Sequence, residues 1–143
     1  MRKSELMTLW NIESWSVEPY GVYFVSRRLG TNRLENEAQA SQKINISCTG
    51  YTEVEALSLP MWEQLYTQLD DVDRLAKEVI LQDISPKEDK VLILTDIMLD
   101  KSGCYDAFAL GYDIGESPAG HLYVLVSFDE NFTAQQDVIY ETL

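Results

Sequence analysis

PMWEQLYTQLDDVDRLAKEVILQDI, residues 60–84, is the stretch on which the fold turns. Trp62, Leu65, Tyr66, Leu69, Val72, Ala76, Val79 and Ile80 recur at intervals of three and four, which gathers them into one apolar stripe of a long helix. Pro60 suits the first helical position, where its missing N–H would go unsatisfied anyway. Glu63 complements the positive end of the dipole, and Asp70–Arg74 and Asp73–Lys77 are acid-before-base pairs one turn apart. Ser85-Pro86 then stops the helix. A stripe of this kind must be buried against something, and the flanking sequence supplies strands.

Upstream, residues 9–17 and 20–26 read as two strands parted by Glu18-Pro19, the second rich in β-branched and aromatic side chains. Between Arg27 and Lys43 only Leu29 and Leu34 are large aliphatics, and the stretch reads as a long exposed loop. Ile44, Ile46 and Cys48 alternate with Asn45, Ser47 and Thr49, a half-buried strand. Downstream, residues 91–99 are apolar in both phases, which predicts a central strand. In residues 105–114 Phe108, Leu110, Tyr112 and Ile114 alternate with Ala107, Ala109 and Gly111, so a helix or a backbone is expected close against the small side. Residues 115–120 form a turn, 121–129 the returning strand and 137–142 a last one. The expected fold is a single α+β domain over residues 1–143, an antiparallel or mixed β-sheet with one long amphipathic helix packed on a face.

Charge narrows the function. The chain carries 24 Asp and Glu against 11 Lys and Arg, a net charge of −13. A surface that wraps nucleic acid or an anionic membrane needs the opposite sign, so neither is an expected direct partner. The excess is concentrated. Residues 44–73 hold Glu53, Glu55, Glu63, Asp70, Asp71 and Asp73, and residues 102–143 hold Asp106, Asp113, Glu116, Asp129, Glu130, Asp137 and Glu141, with no Lys or Arg in either segment. Like charge packed together repels itself, which points to a basic partner. Arg2 and Lys3 are followed by no apolar run, so no secretory signal is expected, and no stretch reaches membrane-spanning length. With Cys48 and Cys104 read as buried free thiols, the expected compartment is the cytoplasm.

Catalytic chemistry finds little to stand on. His121 is the sole histidine, near Asp113 and Glu116, and no G-x-S-x-G nominates a nucleophile for it. Asp96 to Gly103 offers oxygen ligands without the D-x-D-x-D-G spacing of a calcium loop, and no glycine cluster fits a phosphate cradle. Asp106 and Asp113 are too far apart along one strand to act as paired carboxylates. The expectation is a non-enzyme without metal or cofactor.

The segment Phe108-Ala109-Leu110-Gly111-Tyr112-Asp113-Ile114-Gly115-Glu116-Ser117-Pro118-Ala119-Gly120-His121-Leu122-Tyr123, followed by Val126-Ser127-Phe128-Asp129-Glu130-Asn131, resembles the C-terminal hairpin of small bacterial immunity proteins of polymorphic and contact-dependent toxin systems. The resemblance covers about the last 40 residues and carries no catalytic signature. It implies a small acidic cytoplasmic protein that binds and neutralises a cognate toxin, a basic nuclease domain being the expected partner. The expected contact residues are Glu53, Glu55, Asp70, Asp71, Asp113, Glu116, Asp129 and Glu130, with Tyr112 and Tyr123 as anchors. The competing expectations are an acidic nucleic-acid mimic that blocks another DNA- or RNA-binding protein, and a small carboxylate- or metal-dependent enzyme.

Overall fold

The computed structural model describes residues 1–27, 43–83, 92–118 and 120–142. Seven strands form one sheet in chain order: β1 (Ile12–Glu18), β2 (Gly21–Ser26), β3 (Ile44–Thr49), β4 (Leu94–Asp100), β5 (Phe108–Ser117), β6 (Gly120–Phe128) and β7 (Ala134–Thr142). All neighbours are antiparallel except β3 and β4, which run parallel from Asn45↔Asp96 to Thr49↔Asp100. A parallel pair cannot be closed by a tight turn. The chain between these two strands accordingly carries the helices α2 (Glu53–Leu57) and α3 (Trp62–Asp83). A further helix, α1 (Lys3–Leu9), precedes β1. The fold is α+β with a mixed sheet, and α3 is the long helix packed against it.

Helix α3 begins at Trp62, so Pro60 stands before the helix and not at its first position. Its stripe is buried as expected: Trp62, Leu65, Leu69, Val72, Ala76, Val79 and Ile80 belong to the core. Opposite them lie Val22 and Phe24, Ile44 and Ile46, Leu94, Ile97 and Leu99, Phe108, Leu110 and Tyr112, and Val124, Val126 and Phe128. Tyr112 reaches across the layer to α3, where its hydroxyl donates to the Asp73 carboxylate. Arg74 lies 3.6 Å from both Asp71 and Glu78 on the outer side of the helix, and Lys77 lies 3.2 Å from Asp73.

The beginning of the chain departs from expectation. Residues 9–17 do not form one strand; α1 occupies Lys3–Leu9 and turns at Trp10 into β1. The reason is a buried aromatic junction that outweighs strand propensity. Trp10 is fully buried, edge-on to Trp62 with ring centroids 6.2 Å apart, and its indole N–H donates to the Trp62 carbonyl at 3.2 Å. The Trp62 indole donates in turn to the Ala56 carbonyl at 2.8 Å, which ties α2 to the same point. Helix α2, also unexpected, is closed by a reciprocal cap. Glu55 N–H donates to Thr52 Oγ1 at 3.2 Å, and Thr52 N–H donates to Glu55 Oε1 at 3.0 Å.

Strand β4 is central, but its two sides are unlike. A register shift between Leu94 and Asp96 changes the phase, so Leu94, Ile97 and Leu99 are buried toward the helix while Asp96 and Met98 face away. On β5 the helix covers the large side, Phe108, Leu110 and Tyr112, and not the small side as expected. Ala109 and Gly111 lie on the sheet's other face, where side chains close in. A Cβ on Gly111 would stand 2.8 Å from Leu125 Cδ2 and 3.1 Å from Asp96 Cβ. The β5–β6 turn is tighter than expected, with Ser117 paired to Gly120. Cys48 is buried and Cys104 exposed, both as free thiols, so only the first fits the buried reading. The expected loop over residues 28–42 and the Ser85-Pro86 helix stop lie outside the described residues.

Candidate functional site

Helix α3 lies on one face; the opposite, open face carries no helix among the described residues, and alternation assigns its side chains. Cross-strand pairing sets Asn45 beside Asp96, Asp96 beside Gly111, Gly111 beside Leu125, and Asp113 and Glu141 on either side of Tyr123. Near the middle of this face is a cavity of about 260 Å³, lined by Asn45, Thr95, Asp96, Met98, Asp113, Tyr123, Leu125 and Glu141. Three carboxylates from β4, β5 and β7 therefore meet over a small floor of Met98 and Leu125. No Lys or Arg is among the described residues that line it.

The three acids are held differently. Burial pushes the Asp96 carboxyl up, and the charges of Asp113 and Glu141 push the same way against hydrogen bonds from Thr95 and Asn45. Thr95 Oγ1 donates to Asp96 Oδ2 at 2.7 Å. Burial also pushes Asp113 up, but hydrogen bonds from His121 and from the Gly115 N–H outweigh it and leave the carboxyl below its ordinary value. His121 Nε2 lies 2.5 Å from Asp113 Oδ2, and the Gly115 N–H donates to Asp113 Oδ1 at 2.9 Å. Glu141 accepts from the Tyr105 hydroxyl at 3.4 Å. Burial, followed by the Glu141 charge, moves the Tyr105 phenol up to about 12, so it remains a neutral donor. The arrangement is a half-dry concavity with fixed negative charge and an aromatic wall, which suits an ammonium or guanidinium group.

The expected contact residues do not form one surface. Asp113 and Tyr123 come together in this cavity. Tyr112 does not present a surface at all: it is fully buried on the helix side, where burial and then the Asp73 charge push its phenol well above the ordinary value. That corrects its assignment as an interface anchor, since adjacent residues of a strand point to opposite faces. Glu53 accepts from the Trp15 indole at 2.7 Å and lies 3.6 Å from Lys3. Glu55 is paired with Lys101; that hydrogen bond first, and the Thr52 N–H next, bring its carboxyl down to about 2. Both carboxylates are already answered by bases within the fold.

Asp70 and Asp71 lie on α3, away from the open face. Asp129 holds its own turn, Oδ1 accepting from the N–H groups of Asn131 and Thr133 at 2.9 Å each. Glu130 is exposed beside it, and Glu116 pairs through its backbone with His121.

Asp96 and Glu141 are the residues that sequence reasoning missed. One sits past an unforeseen bulge and the other on the last strand, and only the sheet order brings them together.

Among the described residues, no group of three or more His, Cys, Asp or Glu is arranged to hold a metal ion, and no helix is long and apolar enough to cross a membrane. No family model, curated protein or solved structure matches the chain.

Proposed function

We propose that the protein is a cytoplasmic immunity protein, which binds a basic toxin domain and neutralises it by lodging one of the toxin's Lys or Arg side chains in the acidic cavity of the open face. The observation that carries this reading is the meeting of Asp96, Asp113 and Glu141 around Tyr123, with no Lys or Arg among the described lining residues and His121 beside Asp113. Asp96 is made less acidic there by burial and by its two neighbours, so an entering cation relieves a repulsion that folding leaves in place. A nuclease must bind phosphate, so its cleft is basic, and an acidic protein can cover it. The remaining acidic surface steers the encounter, and the cavity fixes the register.

The test is protection in cells. Basic nuclease toxin domains, beginning with any encoded near the gene, are co-produced with the chain, either as the natural sequence or with Asp96→Asn, Asp113→Asn and Glu141→Gln combined. The triple variant should stay folded and lose protection. Full protection by the folded triple variant would exclude the open face as the binding surface.

A further inference from the structure

A second cavity, of about 510 Å³, shares no lining residue with the first. It opens where β4 ends and β5 begins, beneath the start of α3, and is lined by Leu59, Met61, Leu99, Ala107 and Phe132 together with Pro60, Tyr51, Gln64, Asp106 and Glu130. Its size is that of a ligand site and not of a packing fault, and its walls are mainly apolar with a few polar groups at the mouth.

One wall is fixed by the β6–β7 turn. Phe132 has a φ of 62°, a conformation that bulky side chains rarely adopt. The Asp129 turn holds it there, with the Phe132 N–H donating to the Asp129 carbonyl at 3.0 Å. The ring is edge-on to Phe108 at 5.4 Å and 8% exposed, so the wall exists before anything binds.

The polar groups at the mouth have one sign. Asp106 and Glu130 are both exposed, and Asp106 is positioned by a hydrogen bond from the Gln135 amide. No Lys or Arg is among the described lining residues; Lys101, whose charge is felt at Tyr51, is ion-paired with Glu55. An apolar floor under a carboxylate mouth selects a molecule with both characters. We infer that this cleft binds an amphipathic organic cation, an aromatic or branched aliphatic group bearing an ammonium or guanidinium. The same chemistry is offered by a free amine and by an aromatic residue next to Arg or Lys in a partner chain.

Nuclear magnetic resonance titration of the labelled full chain tests this with four probes: phenethylamine, its neutral analogue 2-phenylethanol, the anion phenylacetate, and the capped dipeptide N-acetyl-phenylalanyl-arginine amide. Saturable shifts are expected at Leu59, Met61, Leu99 and Ala107, with the cations favoured over phenylacetate by about tenfold at low salt, the scale of one or two partly screened charge contacts. Asp106→Asn with Glu130→Gln changes only exposed carboxylates, so the amide spectrum should stay native while the preference for cations disappears. Tighter binding of the dipeptide than of the amine would assign the cleft to a partner's side chains, and the reverse order to a free ligand. Equal affinity for cation and anion, absence of saturable shifts, or shifts confined to Asp96, Tyr123 and Leu125 would each overturn the inference. None of these outcomes depends on whether the open face binds a toxin.

Discussion

The two faces of the sheet are made by the same strands and differ in what they leave undone. Toward α3, Phe24, Ile46, Ile97, Leu110, Val126 and Phe128 are all 2% exposed or less, closed by the helical stripe. Away from it, Asp96, Gly111 and Asp113 stand beside Met98, Tyr123 and Leu125, and the concavity among them gathers negative charge. The covered face is where apolar burial stabilises the fold, and the open face is where electrostatic repulsion persists. Substitutions on the two sides should therefore move stability and binding in opposite ways.

The largest effect belongs to the covered face. Trp62 is 1% exposed, stacks edge-on against Trp10, and donates its indole N–H to Ala56. Trp62→Ala should cost about 3–5 kcal/mol, seen as a lower midpoint in urea denaturation, because it leaves a cavity and frees three helices at once. Tyr112→Phe removes the hydroxyl that donates to Asp73. Leaving that half-buried carboxylate short of a donor should cost about 1–3 kcal/mol by the same measurement, with no change in partner binding. Weakened binding with unchanged stability would contradict the placement of Tyr112 on the helix side.

The open face should respond with the other sign. The Asp96 carboxyl is raised in the folded state, so folding binds its proton more tightly than the unfolded chain does. Stability is then higher below its folded pKa and falls as pH rises through it. Asp96→Asn should raise the urea midpoint at pH 7 and leave it nearly unchanged at pH 3, while it weakens the partner. A variant less stable at pH 7 than the natural chain would show that the hydrogen bonds from Thr95 and Asn45 outweigh burial and the repulsion together.

The smallest effect is at His121. Asp113 is held below its ordinary value against burial by His121 and Gly115, so its contribution to stability is complete above the unfolded carboxylate range and lost as pH falls through the folded pKa. His121→Ala lets burial act with less opposition. The Asp113 carboxyl should titrate at a higher pH in carbon-13 spectra, and the loss of stability on acidification should become smaller. An unmoved titration would mean that the Gly115 N–H alone sets it.

Much of the covered face could be read directly, because its signal is local. The α3 stripe lies within one stretch of chain, and the alternation of Ile44, Ile46 and Cys48 survives intact in β3. Two short helices escaped that reading although each left a trace: Leu6, Leu9 and Trp10 at helical spacing, and Thr52 with Glu55 as a capping box. Neither trace is long enough to compete with strand propensity until Trp62 supplies a tertiary partner. The open-face site was legible only in part. Asp113 and Tyr123 were named from charge and aromaticity, but the site also needs Asp96 and Glu141, which come from strands far apart in sequence. Alternation back from Ile97 and Leu99 turns Asp96 to the open face, and the bulge after Leu94 only brings Leu94 to the covered one, so what stays hidden is which strands stand beside Asp96. Tyr112 was misplaced for a related reason, since neighbouring positions in one strand serve opposite faces.

The most direct test of the open face is the association rate of the toxin domain with the natural chain and with the combined Asp96→Asn, Asp113→Asn and Glu141→Gln variant, by stopped flow, as ionic strength rises from about 0.05 to 0.5 M and the Debye length falls from about 14 to 4 Å. Capture by an acidic surface predicts an on-rate that drops steeply with salt for both chains, and a dissociation rate that is faster in the variant because the cavity no longer holds its cation. An on-rate indifferent to salt, together with a dissociation rate that the three substitutions leave unchanged, would contradict it.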